Sequence, residues 1–245
     1  MCGRFVSSSS PEQIAQYFDA DAVNEKLIER GPNYNTAPTS AVMVVYEDGT
    51  SRLLDSFRWG LVPSWAKDMS IGSRMINSRA ETIAEKPSFR RAFAKRRCII
   101  PVDGFYEWKA LPGEKKKQPY YIHRPDDEPF AFAGLWEQWK GPKDGPALDE
   151  PLRTCSIITT EANSKMAELH DRMPVILPKS AWDEWLSSEG HDTEALGKFL
   201  VPAPSKLITF HPVSTEVNNA RNRGEHLMDE VDPDAPEASS PQTLL

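Results

Sequence analysis

The chain has 245 residues, of which 39% are hydrophobic and 27% charged, and its formal net charge is −7 at pH 7. This composition allows a sizeable buried core and excludes a compositionally disordered chain. No apolar run approaches the roughly 18 to 20 residues of a membrane span, and the first residues lack the charged-then-apolar order of a signal peptide.

Proline occurs 21 times and is spread between short segments, which is typical of many short strands with irregular connections. We predict strands where β-branched and aromatic residues are enriched, over residues 41–46, 52–59, 98–102, 105–108, 120–123, 130–136, 154–160 and 174–177.

Helices are fewer. Ser10 is a candidate N-cap, with Pro11 at the first helical position and Gln13 as the capping-box partner of a helix over residues 11–18. Further helices are predicted over residues 80–93 with a break at Pro87, and over 161–169, 180–186 and 193–199. Strands outnumber helices and do not alternate with them. The sequence therefore predicts an α+β fold, a single compact domain of mostly antiparallel short strands with peripheral helices.

We expect this domain to span residues 1–228. Residues 229–245 contain five acidic side chains, no basic one and three prolines, a composition that predicts a disordered acidic tail. The polar segment 141–151 is interpreted as a surface loop inside the domain.

Three cysteines, Cys2, Cys98 and Cys155, cannot form a closed set of disulfides and lack the Cys-x-x-Cys spacing of a metal site. We therefore expect no metal and no cofactor, and a reducing compartment: the cytoplasm, or the nucleus of a eukaryote.

The charge is unevenly distributed. Outside the acidic tail, the chain has 31 acidic and 29 basic residues. The segment from Arg74 to Arg97 has eight basic and two acidic residues, a net charge of +6 within 24 positions. A polyanionic partner such as nucleic acid is therefore compatible with the negative total.

Cys2 directly follows Met1. Loss of the Met would leave one residue with both a free α-amine and a thiol. An α-amine has a pKa near 7.7 to 8.0, against ~10.4 for Lys, so on the order of 10% of it is unprotonated at pH 7. Its attack on an aldehyde gives a Schiff base, and the sulfur two atoms away can close a five-membered thiazolidine ring on the imine carbon. Position alone leaves open that Cys2 is merely a small residue permitted after Met.

Six segments accompany Cys2 in a fixed order: MCGRF (1–5), YNTAPTS (34–40), RWGLVPSW (58–65), NSRAET (77–82), CIIPVDGFYEW (98–108) and HDRMPVIL (170–177). This set resembles the SOS response-associated peptidase family, known for abasic-site processing proteins that crosslink to DNA through an N-terminal Cys. The resemblance covers roughly residues 2 to 220. It implies a barrel-like sheet and a thiazolidine between Cys2 and the ring-opened sugar aldehyde of an abasic site in single-stranded DNA.

The resemblance makes Glu107 the candidate general acid and base. Opening the sugar hemiacetal and dehydrating the carbinolamine both require proton transfer, which a carboxylic acid performs in both directions. In a strand, the neighbours Tyr106 and Trp108 point to the opposite face and do not bury Glu107. Residue type alone equally allows an outward-facing strand carboxylate.

Two further residues complete the implied catalytic set. His170 stands beside Asp171 and Arg172, where it could relay a proton near neutral pH; by residue type alone it is equally a hydrogen-bonded structural His. Asn77 carries an amide suited to fixing the amine or sugar hydroxyls without adding charge, and its assignment rests on the resemblance.

Contacts to DNA are expected from Arg4, Arg79 and Arg172, whose guanidinium groups can clamp phosphates. A basic track formed by Arg90, Arg91, Lys95, Arg96 and Arg97 could extend them, or be a solvated helix face. Pro38 and Trp65 resemble the apolar elements that stack on bases or wedge beside the lesion.

The sequence thus predicts a monomeric, metal-free enzyme that covalently caps abasic sites in single-stranded DNA, associated with the nucleoid if bacterial. Two alternatives stay open. One is a thiol peptidase that removes its own Met1 with a Cys2–His170–Asn77 set, although a nucleophile so near the chain end is poorly placed for a long peptide groove. The other is a non-catalytic module that binds single-stranded DNA.

Overall fold

Two β-sheets organise the protein, whose computed structural model describes residues 2–111, 113, 116–187 and 193–233. The strands of the described residues are β1 (Phe5–Ser7), β2 (Ala22–Val23), β3 (Asn33–Thr36), β4 (Ala41–Asp48), β5 (Ser51–Trp59), β6 (Asn77–Arg79), β7 (Arg97–Val102), β8 (Gly104–Ala110), β9 (Lys117–His123), β10 (Phe130–Trp139), β11 (Leu152–Glu161), β12 (Arg172–Pro174) and β13 (Thr209–Pro212). The α-helices are α1 (Pro11–Tyr17), α2 (Arg90–Lys95) and α3 (Trp182–Leu186).

The larger sheet closes on itself. β4 pairs with β5 and β7, β7 pairs with β10, and β10 pairs with β11, all antiparallel. β11 then pairs in parallel with the end of β5, so these five strands form a ring. The expected α+β fold with a barrel-like sheet is confirmed.

The smaller sheet has the order β13-β9-β8-β1-β3. Its strand β1 lies between β3 and β8, with Phe5 opposite Thr36 on one side and opposite Phe105 on the other. The residues just before β1 are therefore held at the interior of this sheet rather than at an edge.

A hydrophobic core fills the space between the sheets. It combines Phe5, Phe105 and Ile122 of the smaller sheet with residues of the ring such as Ile100 and Phe132. A second cluster covers the opposite face of the large sheet with α1, α2 and α3. Apolar side chains on both faces of the ring strands explain why these strands are almost continuously buried.

The long predicted strands and the first helix are confirmed. Ser10 Oγ accepts a hydrogen bond from the Gln13 backbone N–H, and Gln13 Oε1 accepts one from the Ser10 backbone N–H, which completes the expected capping box ahead of Pro11.

Two predicted elements differ. The helix expected over residues 161–169 is only a 3₁₀ turn, Met166–Glu168, because Glu161 still belongs to β11 and Asn163 Oδ1 accepts the Met166 backbone N–H. The strand expected over 174–177 starts earlier, at Arg172, where β12 pairs with β11.

The other helical segments are shorter than predicted. Residues 80–93 contain a 3₁₀ turn, Ala80–Thr82, and only the start of α2, and the segment 193–199 contains the 3₁₀ turn Ala195–Phe199. The segment 180–186 agrees with α3.

The chain remains attached to the smaller sheet beyond the predicted domain boundary at 228. Glu230 forms an antiparallel bridge with Val213, and the Val231 backbone N–H donates to Pro212 O at 3.0 Å. Residues 234–245 of the predicted tail lie outside the described residues. Within the described part of the chain, no helix is long and apolar enough to cross a membrane.

A close backbone approach fixes the segment that leads into β6. Gly60 has φ +125°, and a Cβ on Gly72 would lie 2.5 Å from Gly60 O. Met75 O accepts the Leu61 N–H at 3.1 Å, and Ile76 O accepts the indole N–H of Trp59 at 2.9 Å. Asn77 is thereby placed by the end of β5.

We expect Gly72→Ala to lower the free energy of unfolding by about 1–3 kcal/mol, because the added methyl group meets backbone that cannot move aside. Urea unfolding measures the change. Gly197→Ala is the matched control, since nothing lies within 4 Å of its Cβ position, and it should stay within ~0.5 kcal/mol of wild type. Equal stability of the two variants would contradict the tight approach.

Candidate active site

Cys2 is fully buried just ahead of β1, in the core cluster between the sheets. The Arg4 backbone carbonyl accepts the Tyr106 N–H at 3.0 Å, so the pairing of the chain start with β8 extends to within two residues of Cys2. Burial, and after it the negative charge of Glu107, raises the pKa of the Cys2 thiol well above its usual range. At neutral pH the thiol is therefore protonated.

Glu107 faces the interior. It follows Phe105 at the two-residue period of β8, and Phe105 belongs to the same core cluster as Cys2, whereas Tyr106 and Trp108 pack in a separate cluster on the other face. Only 3% of Glu107 is exposed. The outward-facing orientation of Glu107 is therefore wrong. Its buried negative charge contributes to the raised pKa of the Cys2 thiol.

Asn77 opens β6 and reaches Cys2 directly. Its Nδ2 donates a hydrogen bond to the Cys2 backbone carbonyl at 2.8 Å. Its Oδ1 is buried and accepts no hydrogen bond from the described residues. The amide thus fixes the backbone of Cys2 and keeps one acceptor available for a donor at the same place.

His170 lies between the turn that carries Leu169 in the Cys2 cluster and the start of β12. Its Nδ1 is 3.0 Å from the Arg172 backbone N and 2.7 Å from Asp171 Oδ1. With the ring neutral and its proton on Nε2, Nδ1 accepts from Arg172. With both nitrogens protonated, Nδ1 donates to Asp171. Both charge states therefore have a local partner.

Arg172 and Arg79 flank the same stretch of β11. Thr159 is opposite Arg79 in β6 and opposite Pro174 in β12, and its carbonyl accepts from Arg172 Nη2 at 2.7 Å. Arg172 also forms a two-point ion pair with Glu81, whose pKa it lowers. Arg79 is exposed.

Arg4 is half-buried and tethered to β3. Its Nη1 donates to Asn35 Oδ1 at 2.7 Å and to Val217 O at 3.0 Å. Asn35 in turn donates through Nδ2 to the carbonyls of Val217, Asn219 and Asn222. The guanidinium is thus held in place by neutral groups rather than by a carboxylate, and burial lowers its pKa.

Pro38 and Trp65 stand on anchored loops. Thr39, next to Pro38, has φ 70°, donates its N–H to Trp59 O at 2.8 Å and accepts from Arg58 Nη1 at 2.9 Å. Trp65 is 53% exposed, while the adjacent Ala66 is buried and its carbonyl accepts the indole N–H of Trp139 at 2.9 Å. An exposed indole on a fixed loop is suited to stacking on a base.

A protein-family model described as SOS response associated peptidase (SRAP) matches residues 1–220 of this chain. The chain belongs to the SOS response-associated peptidase family. It is 44% identical over 229 residues to the abasic site processing protein YoaM of Bacillus subtilis, covering 94% of this chain and 98% of the relative. It is 32% identical over 278 residues to the abasic site processing protein HMCES of Rattus norvegicus, covering 98% of this chain and 72% of that protein.

Solved structures agree with the fold. A Bacteroides thetaiotaomicron protein superposes with a TM-score of 0.82 at 26% identity, over 94% of this chain and all of that chain. A Bordetella bronchiseptica protein superposes with a TM-score of 0.72 at 25% identity, over 87% of this chain and all of that chain.

This member of the family uses part of its basic segment structurally. Arg97 is 2% exposed and donates to the carbonyls of Phe93, Ala94, Trp185 and Ser187. Arg97 therefore cannot belong to a surface track, and Arg96 is paired with Glu137 at 2.7 Å. Arg90, Arg91 and Lys95 are exposed.

Two positioning residues escaped the sequence analysis. Glu81 fixes Arg172, and Asn35 fixes Arg4. Glu81 lies in the motif NSRAET and Asn35 in the motif YNTAPTS, so membership of these motifs was the sequence signal that could have identified them. In the described residues, no group of three or more His, Cys, Asp and Glu side chains is arranged to hold a metal ion.

Proposed function

We propose that this protein processes abasic sites in single-stranded DNA by forming a covalent thiazolidine crosslink through Cys2, as a monomer and without a cofactor. The observation that carries the proposal is the setting of Cys2, whose carbonyl is held by Asn77 and whose thiol is next to the charge of the buried Glu107. Relatives named abasic site processing proteins, similar over nearly the whole chain, support it.

The amine reacts first. After loss of Met1, the α-amine of Cys2 attacks the sugar aldehyde, and the carbinolamine loses water to give an iminium ion. The amine and the aldehyde give an iminium ion, and its carbon is the electrophile on which the sulfur two atoms away can close a five-membered ring. The sulfur adds to the iminium carbon in the second step, and its proton must then leave.

Glu107 is the group placed to take that proton, because its charge acts on the Cys2 thiol. In the earlier step the same carboxyl group can take the proton that the α-ammonium of Cys2 must lose before it attacks, and give that proton to the departing hydroxyl of the carbinolamine. Aldehyde plus aminothiol thereby gives thiazolidine plus water. We assign His170 to the imine chemistry and to reversal of the crosslink, since Arg172 and Asp171 offer its Nδ1 an N–H donor and a carboxylate acceptor.

Asn77 orients the nucleophile. Its Nδ2 fixes the Cys2 carbonyl, and its buried Oδ1 is positioned to accept a hydrogen bond from the Cys2 amine or from a sugar hydroxyl. We assign phosphate contacts to Arg4, Arg79 and Arg172, and stacking contacts beside the lesion to Pro38 and Trp65.

The geometry does not favour the thiol peptidase. A Cys-His-Asn set needs an Asn that orients the His, but Asn77 Nδ2 donates to the Cys2 carbonyl, and His170 Nδ1 is next to Arg172 and Asp171. A peptidase thiol must also ionise readily, whereas burial raises the pKa of Cys2. A passive binding module would need none of these contacts.

Intact mass spectrometry tests the proposal. Purified protein should begin at Cys2, and abasic single-stranded DNA should add the mass of one oligonucleotide less one water, without borohydride. The same oligonucleotide with an intact base is the control and should add nothing. Full crosslinking by protein that still carries Met1 would contradict the mechanism, because its Cys2 nitrogen is an amide.

A further inference from the structure

A basic pocket of about 590 Å³ lies beside β3, away from Cys2. Three cationic side chains line it, Lys26, Arg30 and Arg223, and none of its lining residues in the described chain is acidic. The polar remainder is supplied by the hydroxyls of Ser40 and Ser56 and the amide of Asn33. The pocket is therefore locally positive in a protein whose net charge is −7, and such a site attracts an anionic ligand.

Arg30 is half-buried, whereas Lys26 is exposed. Its Nη1 is shielded from solvent and finds no hydrogen-bond acceptor among the described residues. Burial alone lowers its pKa, so no facing carboxylate offsets the cost of burying the charge. A shielded guanidinium N–H without an acceptor is costly to keep unless a ligand supplies one.

Two neighbouring acids, Glu150 and Asp55, offset little of the positive charge of the pocket. Glu150 is 3.5 Å from Lys26, but both side chains are largely exposed, so this pair contributes little. Asp55, next to Ser56 in β5, accepts hydrogen bonds from Arg153 and Asn24. The pocket therefore presents uncompensated donors, as an oxyanion site does.

The pocket is physically joined to the proposed DNA contacts through Asn35. This side chain accepts from Arg4 and donates to the carbonyl of Asn222, the residue before Arg223. Asn33, which lines the pocket, is two residues earlier in the same strand, and its Oδ1 accepts the Asn35 backbone N–H at 3.0 Å. Arg223 lies beyond the residues matched to the family, 1–220.

We propose that the pocket of Lys26, Arg30 and Arg223 binds a backbone phosphate of the DNA strand that flanks the abasic site, beyond the phosphate contacts of Arg4. The inference rests on the proposed function for the identity of the strand. A phosphodiester supplies the oxygen acceptors that the pocket lacks, and Arg30 and Arg223 can each donate to it in a two-point geometry.

The test measures affinity for undamaged single-stranded DNA by fluorescence anisotropy at several salt concentrations. Arg223→Gln and Lys26→Gln should each weaken binding about threefold or more and lower the log–log salt slope by ~0.7 for each lost contact. Arg30→Gln should do the same wherever circular dichroism shows that it folds. The difference in affinity between wild type and these variants should disappear when the oligonucleotide is shortened at the end that reaches the pocket, and should persist when it is shortened at the other end.

Lys179→Gln is the matched control for Lys26→Gln, because Lys179 is also an exposed lysine with one exposed acidic partner, Asp19 at 3.3 Å. It should bind as wild type does. Unchanged affinity and slope in both Arg223→Gln and Lys26→Gln would overturn the proposal.

Two further measurements separate the causes of failure. Crosslink yield at saturating abasic DNA should be the same in Arg223→Gln and wild type, because the pocket contributes to binding and not to the reaction. If wild type itself fails to crosslink, the proposed function is wrong, whereas the salt dependence of the variants still tests the pocket. Inorganic phosphate is the second probe. If it raises the melting temperature of wild type but not of Arg223→Gln, while both bind DNA equally, the pocket takes a small free phosphate compound and the strand assignment is wrong.

Discussion

Replacement of Cys2 by alanine should convert a heat-stable DNA adduct into a reversible one. The Cys2→Ala variant still permits loss of Met1 and still presents an α-amine, so a Schiff base with the abasic aldehyde should form. Without sulfur, the ring cannot close. The imine persists, acidifies the proton next to it and can proceed to β-elimination, so this variant should nick the DNA strand more than wild type does.

The measurement compares both proteins with and without borohydride, followed by heating. Wild type should give an adduct that survives heat unreduced, whereas Cys2→Ala should give one only after reduction. Cys155→Ala is the matched control, because it removes another fully buried thiol from the same core cluster but leaves the aminothiol intact, and it should crosslink as wild type does.

The outcomes separate the three functions. A peptidase that uses the Cys2 thiol predicts loss of activity in Cys2→Ala and no nicking, and a passive binding module predicts no borohydride-trapped complex with either protein. If Cys2→Ala retains DNA binding and lacks Met1 but cannot be trapped, the amine-first mechanism is wrong.

Much of the fold could be predicted because its signals are local. The ring strands are long and rich in β-branched residues, and the capping box of α1 lies within four residues. Five strands were missed, β1, β2, β3, β6 and β13, and each has only two to four residues. Of these, β1, β3 and β6 lie beside the candidate site. Such short segments carry no periodicity of their own and become strands only because a partner strand is offered: β8 for β1, β1 for β3 and β11 for β6.

The candidate site shows the same division. Motifs identified Cys2, Asn77, Glu107 and His170, but not which way each side chain points. The inward direction of Glu107 depends on which face of β8 meets the ring, a long-range property. Likewise, the pairing of Arg172 with Glu81 joins residues 91 positions apart, and the burial of Arg97 needs the carbonyls of α3. Charge counting alone placed Arg97 in a candidate basic track on the surface.

Glu107→Gln should slow crosslink formation by something like 10²- to 10⁴-fold, the usual effect of removing a positioned acid–base group. Glutamine keeps the shape of the side chain and removes only its ability to take and return a proton. Folding should be retained, because the change removes a buried charge rather than creating one. Affinity for DNA should stay close to wild type, since the residue is 3% exposed and cannot contact the phosphate backbone.

Rates of adduct formation with abasic single-stranded DNA, followed by denaturing gel over time, provide the measurement. Glu137→Gln is the matched control: Glu137 is also a buried strand carboxylate, 6% exposed, but it is paired with Arg96. Its loss costs stability and should leave the crosslinking rate unchanged. If Glu107→Gln reacts at the wild-type rate across the pH range, the sulfur loses its proton by another route and Glu107 is a structural carboxylate. A slow Glu107→Gln reaction with borohydride trapping still fast would limit the role of Glu107 to ring closure and contradict its role in loss of water from the carbinolamine.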